Sequence, residues 1–278
     1  MGDPAALDRL PAGYRQLYAD VLRGAAGDPR VRAMWLAGSL GRGVADAGSD
    51  LDVVLAVRAD SVAEFGAQWR DWLARITPTV LAKDLPGMPG SFYSLTPSCL
   101  RLDVVCEQAG AADPEALERR VLVLDKDGTA NTPAKSVREH RPCGPDPAKL
   151  TGLTEECLRQ LALFPAAVVA RQDWLLGVVG VQSVQMMLYQ LFVEANQPLP
   201  PMGVKQWSAK LKPHQRQICA ALPAPTASRD GVLTAMRAAS AAFREAARAA
   251  LDAAGAPWPA ELDAAVQNHL SAQLGWTD

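Results

Sequence analysis

The chain has 278 residues, 49% of them hydrophobic and 21% charged, a globular composition with apolar material enough for two modest domains or one large one. Its 28 basic and 30 acidic residues leave a formal net charge of −2; a duplex-binding protein carries a basic excess or stripe, so a nucleic acid is not expected as the main partner. The five cysteines (Cys99, Cys106, Cys143, Cys157, Cys219) show no C-x-x-C spacing, so neither a zinc site nor a disulfide framework is suggested, and reduced thiols are expected.

The opening Met1-Gly-Asp-Pro-Ala has an acid and a proline where a signal peptide needs basic and then apolar residues, and a soluble, cytoplasmic protein is expected. Leu7, Leu10, Tyr14, Leu17 and Leu22 predict a helix over about Ala6 to Ala25. Val31 to Ala37 and Leu51 to Val57 read as strands, with a Gly- and Ser-containing segment between them. Phe65, Trp69 and Trp72 are spaced for one face of a helix over Ala59 to Ala74. Thr77 to Ala82 is a candidate strand. Leu85 to Gly90 is a turn-rich loop, and Phe92 to Leu95 pairs with Leu100 to Glu107 as an antiparallel hairpin.

His140 to Pro147 holds three prolines and a glycine in eight residues and is the best linker candidate. Beyond it, helices are predicted at Leu150 to Leu163, Ala166 to Ala195, Val204 to Leu211, His214 to Leu222, Gly231 to Ala254 and Ala260 to Leu274. The longest apolar stretch, Trp174 to Val193, contains Gln182, Ser183, Gln185, Tyr189 and Gln190. That polar load fits a buried helix better than a bilayer span, and no membrane partner is expected. The expected class is α+β: residues 1–145 as a small mixed sheet flanked by helices, and residues 146–278 as a C-terminal helical bundle.

The chemistry sits in Leu36 to Leu55. Asp50 and Asp52 are two apart on a predicted strand, so both side chains point to one face. Among Leu51, Val53, Val54 and Leu55 such a pair is costly unless a metal or a cation compensates it. Mg²⁺ suits hard carboxylate oxygens together with substrate phosphates. Leu100 to Glu107 carries Asp103 on another apolar strand; if that strand lies beside the first, the three acids share a face. Three carboxylates around two divalent ions can clamp the attacking and leaving oxygens of an in-line displacement, and Asp103 could also act as general base. Glu107, four residues on, competes for the third place. Gly38 lets backbone N–H groups approach a phosphate, with the start of a helix adding favourable partial charge. Ser39, Ser49 and Arg42 can donate hydrogen bonds to phosphates, although Arg42 is equally readable as a surface arginine.

Gly38-Ser39, Ser49-Asp50-Leu51-Asp52 and the later strand with Asp103 resemble the signature of the DNA polymerase β nucleotidyltransferase superfamily. The resemblance implies Mg²⁺-dependent transfer of a nucleoside monophosphate from a triphosphate, with ATP as the expected donor and pyrophosphate released. In size and layout the chain is similar to the bacterial nucleotidyltransferases that modify aminoglycosides or lincosamides, which implies a small hydroxylated, antibiotic-like acceptor. The rival expectations are transfer to a protein or RNA end, and a nucleotide-binding regulatory module without turnover.

Two further groups are candidates. Arg171, Gln182, Gln185 and Tyr189 fall on one face of the Ala166 to Ala195 helix, where they either line an acceptor cleft or bond between helices. Lys205, at the start of the Val204 to Leu211 helix, opposes the helix dipole, so either a triphosphate tail or solvent is its partner.

Overall fold

The computed structural model describes residues 5–111, 117, 119–128, 130 and 144–276. The chain forms two compact units, Met1–Glu139 with Pro201–Lys205, and His140–Pro200 with Gln206–Asp278. Of the linker candidate, residues 140–143 lie outside the described residues, and Cys143 with them.

The first unit is built on six strands, β1 Val31–Leu36, β2 Leu51–Val57, β3 Leu81–Asp84, β4 Phe92–Leu95, β5 Arg101–Gln108 and β6 Val121–Asp125, in the sheet order β3-β4-β5-β2-β1-β6. β2 and β5 run parallel and the other neighbours antiparallel, so the sheet is mixed. Period-2 alternation sorts β2 onto two faces. Leu51, Val53, Leu55 and Val57 enter the main core, whereas Val54 and Ala56 join Ala33 and Trp35 in a smaller apolar cluster. A strand covered on both faces reads as the near-continuous apolar run seen in the sequence.

Helices α1 (Tyr14–Gly27) and α3 (Val62–Ala74) supply the main core; a single turn, α2 (Gly38–Gly41), follows β1. Phe65, Trp69 and Trp72 are buried as their spacing predicts, and the Trp69 ring stacks on Phe92 at 4.1 Å between centroids. The Trp69 indole N–H, which needs a partner when buried, donates to Asp84 Oδ1 at 2.8 Å.

The second unit is helical: α4 Pro147–Phe164, α5 Trp174–Ala195, α6 Pro213–Ala221, α7 Arg229–Ala253 and α8 Ala260–Leu274. By length and composition α5 could cross a membrane, but its apolar face is taken up by packing: Val181, Val184, Leu188 and Leu191 lie in a core shared with Leu158, Leu161, Met236 and Phe243. Gly177 marks a close approach, since a Cβ there would lie 2.7 Å from Val232 of α7. Asp263 of α8, almost fully buried, is held by Arg248 at 2.6 Å and lies 3.3 Å from Arg244 Nε, both on α7.

Several elements depart from the sequence reading. The first helix is split: a 3₁₀ turn at Ala5–Arg9 precedes α1, because Pro11 and the left-handed Gly13 (φ 95°) interrupt it. The strand expected at Thr77 to Ala82 starts only at Leu81, since the Thr77 N–H still closes the end of α3 on Leu73 O. β6 was not foreseen. The helix expected from Ala166 to Ala195 is broken. α4 runs on into a π-turn at Pro165–Val169, Gln172 takes φ 53°, and the Asp173 carboxylate caps α5 by accepting from the Leu176 N–H. Arg171 therefore lies off the helix that carries Gln182, Gln185 and Tyr189. The helix expected over Val204 to Leu211 shrinks to a 3₁₀ turn at Ser208–Lys210. The proline and glycine run before it supplies turn-forming backbone, and Lys205 sits in a turn instead of at a helix start.

Candidate active site

The parallel pairing of β2 and β5 sets Asp52 directly opposite Asp103. Because Leu51, Val53, Leu102 and Val104 enter the main core, the two carboxylates point to the opposite face of the sheet. Asp50 stands immediately before β2 and is mostly shielded, its side chain 14% exposed. Three acids thus occupy one small region with little solvent to screen them.

The cost appears at Asp52. Burial, then the negative charges of Asp50 and Asp103, push its carboxyl up to about 6, against the opposing pull of Arg101 and Lys205. Those two cations hold the other acids. Lys205 Nζ donates to Asp50 Oδ2 at 2.8 Å. Arg101 Nε and Nη2 donate to Asp103 Oδ1 and Oδ2 at 2.8 and 2.6 Å, and Arg101 Nε is 3.6 Å from Asp50 Oδ2. The Arg101 backbone N–H donates to the Tyr14 hydroxyl at 3.0 Å, so the start of α1 fixes the start of β5.

Gly38 and Ser39 border the acids. The Ala37 N–H donates to Asp52 O at 2.9 Å, which ties the end of β1 to Asp52. Gly38 has φ 55°, and a Cβ on it would lie 1.7 Å from Asp52 Oδ2; only glycine leaves room for that carboxylate. Ser39 is buried and its hydroxyl has no hydrogen-bond partner among the described residues, a donor that calls for an acceptor. Ser49 is engaged within its own loop, its Oγ accepting from the Asp46 N–H at 3.0 Å and donating to Asp46 Oδ1 at 3.2 Å. Arg42 is exposed at the end of α2. Glu107 is set apart from the acids: it pairs with Ala56 in the register and is gripped by Arg120 at 2.8 and 2.7 Å.

The remaining sequence candidates lie on α5. Gln182 is exposed, and Gln185 Nε2 donates to Pro223 O at 3.3 Å. Tyr189 stacks on Trp207 at 4.5 Å and donates to the Trp207 carbonyl at 3.3 Å. Within the second unit Tyr189 also lines a groove of about 370 Å³ together with Lys149, Leu153, Val193, Glu194 and Lys210.

Arg101 and Tyr14 were not among the sequence candidates. Arg101 was findable, because a residue two before Asp103 on a strand shares its face. Tyr14 lies 87 positions from Arg101, and nothing local in the sequence marks it.

The donor set suits a divalent cation: three hard carboxylates, a mutual repulsion that raises Asp52, and an orphan serine hydroxyl beside them. The side chains do not, however, converge on one point. Among the described residues no group of three His, Cys, Asp or Glu side chains is arranged to hold a metal ion, and two of the three acids are turned onto Lys205 and Arg101. The four described cysteines are unpaired, and burial pushes the Cys106 and Cys157 thiols up to about 12, which removes them as nucleophiles.

No protein-family model and no curated protein matches the sequence. Among solved structures, the chain is similar to an aminoglycoside 6-adenyltransferase from Bacillus subtilis, with 14% identity and a TM-score of 0.42 over 93% of this chain and 96% of that one. It is also similar to a nucleotidyltransferase-like protein from Exiguobacterium sibiricum, with 12% identity and a TM-score of 0.35 over 95% of this chain and 89% of that one.

Proposed function

We propose that the chain transfers a nucleoside monophosphate, with ATP as donor, to a hydroxyl of a small polar, antibiotic-like acceptor, releasing pyrophosphate. The observation that carries this reading is the register of Asp52 with Asp103 beside Asp50, with Gly38 leaving space for the Asp52 carboxylate.

In this reading Asp50 and Asp52, with Asp103, would hold Mg²⁺ once they turn wholly from Lys205 and partly from Arg101, and the ion would supply charge neutralisation at the transferring phosphoryl group. Ser39 donates its unpaired hydroxyl to a phosphate oxygen, and the glycine at position 38 lets the backbone come close to it. Asp103, oriented by the Arg101 fork, takes the proton of the acceptor hydroxyl as that oxygen attacks the α-phosphorus. The bond from the α-phosphorus to its bridging oxygen then breaks, and pyrophosphate leaves. Of the three acceptor candidates on α5, Gln185 and Tyr189 already bond within the second unit, to Pro223 O and Trp207 O, and Gln182 is the exposed one.

The test is pyrophosphate release from ATP and Mg²⁺ across a panel of aminoglycosides and lincosamides, with Asp52→Asn as control. Release with an acceptor and none from the variant is expected. Silence across the panel, with Mg²⁺-dependent ATP binding intact, would overturn the acceptor class alone.

A further inference from the structure

Asp50 has to keep a cationic partner. Its side chain is 14% exposed and lies beside two other acids, and a shielded carboxylate without compensation is costly. The partner it has is not local. Lys205 comes from 155 positions away, on the short Pro201–Lys205 segment that belongs with the first unit although its flanks belong to the second. The two cations of the site differ in kind. Arg101 grips Asp103 with two parallel bonds at 2.8 and 2.6 Å and sits 3.6 Å from Asp50, a fork suited to one carboxylate. Lys205 makes a single bond, and its side chain is 61% exposed. Because the ammonium end of the pair reaches solvent while Asp50 is shielded, Lys205 can leave without losing a buried position, provided another cation takes its place at Asp50.

We propose that Lys205 is the resident counter-ion of Asp50 and is displaced when a divalent cation binds, its ammonium then moving to the phosphates of the bound triphosphate. The proposal rests on the nucleotidyl-transfer reading above. A lysine on a flexible four-carbon stem is a mobile point charge. Released from Asp50, it needs only to turn about its own stem to meet phosphate oxygens that a divalent cation on the same acids would bind. Metal affinity is thereby set below what three bare carboxylates would give, and the charge released by metal binding is spent on the nucleotide. Arg101 stays on Asp103 throughout, which separates an exchangeable cation from a fixed one.

The experiment is a Mn²⁺ titration followed by electron paramagnetic resonance, without nucleotide, on the wild-type chain, Lys205→Met and Lys205→Arg. Calorimetric ATP titration at saturating Mg²⁺ follows on each. Lys205→Met is expected to bind Mn²⁺ about fivefold more tightly and ATP about tenfold more weakly, while Lys205→Arg, which keeps a cation on Asp50 but gives it up less readily, is expected to bind Mn²⁺ no more tightly than wild type. Mn²⁺ affinity unchanged or weakened in Lys205→Met overturns the counter-ion role and leaves the nucleotidyl-transfer reading standing. A wild-type chain that binds neither Mn²⁺ nor ATP overturns that reading, and the counter-ion role with it.

Discussion

Gly38 and Asp52 are complementary in shape: a Cβ on residue 38 would lie 1.7 Å from Asp52 Oδ2, and the backbone there has φ 55°. Gly38→Ala therefore has two costs, strain in the left-handed backbone and displacement of the carboxylate. The backbone part is modest, about 1 kcal/mol. If Asp52 holds the metal as proposed, the displacement falls on function, because a misplacement of about an ångström in a catalytic site costs on the order of 100-fold in rate. We expect Gly38→Ala to lose about that much in kcat/KM while the melting temperature falls by only a few degrees. Activity close to wild type would mean that Asp52 is not positioned by this contact.

Asp52 also makes the fold respond to pH. Its carboxyl is pushed up to about 6 from an ordinary 3.8 by burial and by Asp50 and Asp103. The protonated form favours the folded chain, so this stabilisation is complete below about 3.8 and is lost as pH rises through about 6. After discount for partial solvent access, ionised Asp52 costs about 2 kcal/mol at pH 7.5. Metal-free Asp52→Asn should melt several degrees higher than wild type at pH 7.5, show no such advantage at pH 4, and have no transferase activity. An advantage independent of pH would exclude the Asp52 charge as its source.

Asp28 gives the opposite sign elsewhere in the first unit. Burial raises its carboxyl, but hydrogen bonds from the Arg30 side chain and backbone N–H, with the nearby Arg30 charge, outweigh burial and hold it below its usual value. Stability from this pair is present above the ordinary carboxylate pKa and is lost as pH falls through the lowered one. Asp28→Asn should cost about 2 kcal/mol in urea unfolding at pH 7, with the difference closing in strong acid.

The two acids of β5 separate function from structure. Asp103 faces Asp52, whereas Glu107 is held by Arg120 at the far end of the strand. Asp103→Asn is expected to lose at least about 100-fold in kcat, and Glu107→Gln to leave kcat within about twofold. A loss of equal size in both variants would dissolve the distinction between them.

What the sequence made legible follows from locality. Asp50 with Asp52 on β2 and Asp103 on β5 could be read because strand periodicity places a face from a few residues, and Phe65, Trp69 and Trp72 because helix periodicity does the same. The pairing that unites the acids is long-range, and it was open until β2 and β5 were seen side by side. β6 escaped because five residues, Val121 to Asp125, between two arginines and Lys126 give too short a pattern to stand alone. Its strand character comes from pairing with β1. Arg171 was misplaced because Gln172 and Asp173 break the helix through a left-handed residue and a cap, features that apolar spacing does not reveal. Lys205 was singled out for opposing a helix dipole that does not exist. Its partner is an acid 155 positions away, a contact no local pattern encodes.

The central claim is that Asp50, Asp52 and Asp103 form a site for a metal-bound nucleoside triphosphate. Calorimetric titration of the four ribonucleoside triphosphates with and without Mg²⁺, on wild type and Asp52→Asn, tests it most directly. The account predicts that wild type binds at least one triphosphate only when Mg²⁺ is present, and that Asp52→Asn binds none. Binding indifferent to both Mg²⁺ and Asp52, or no binding by wild type, would contradict it.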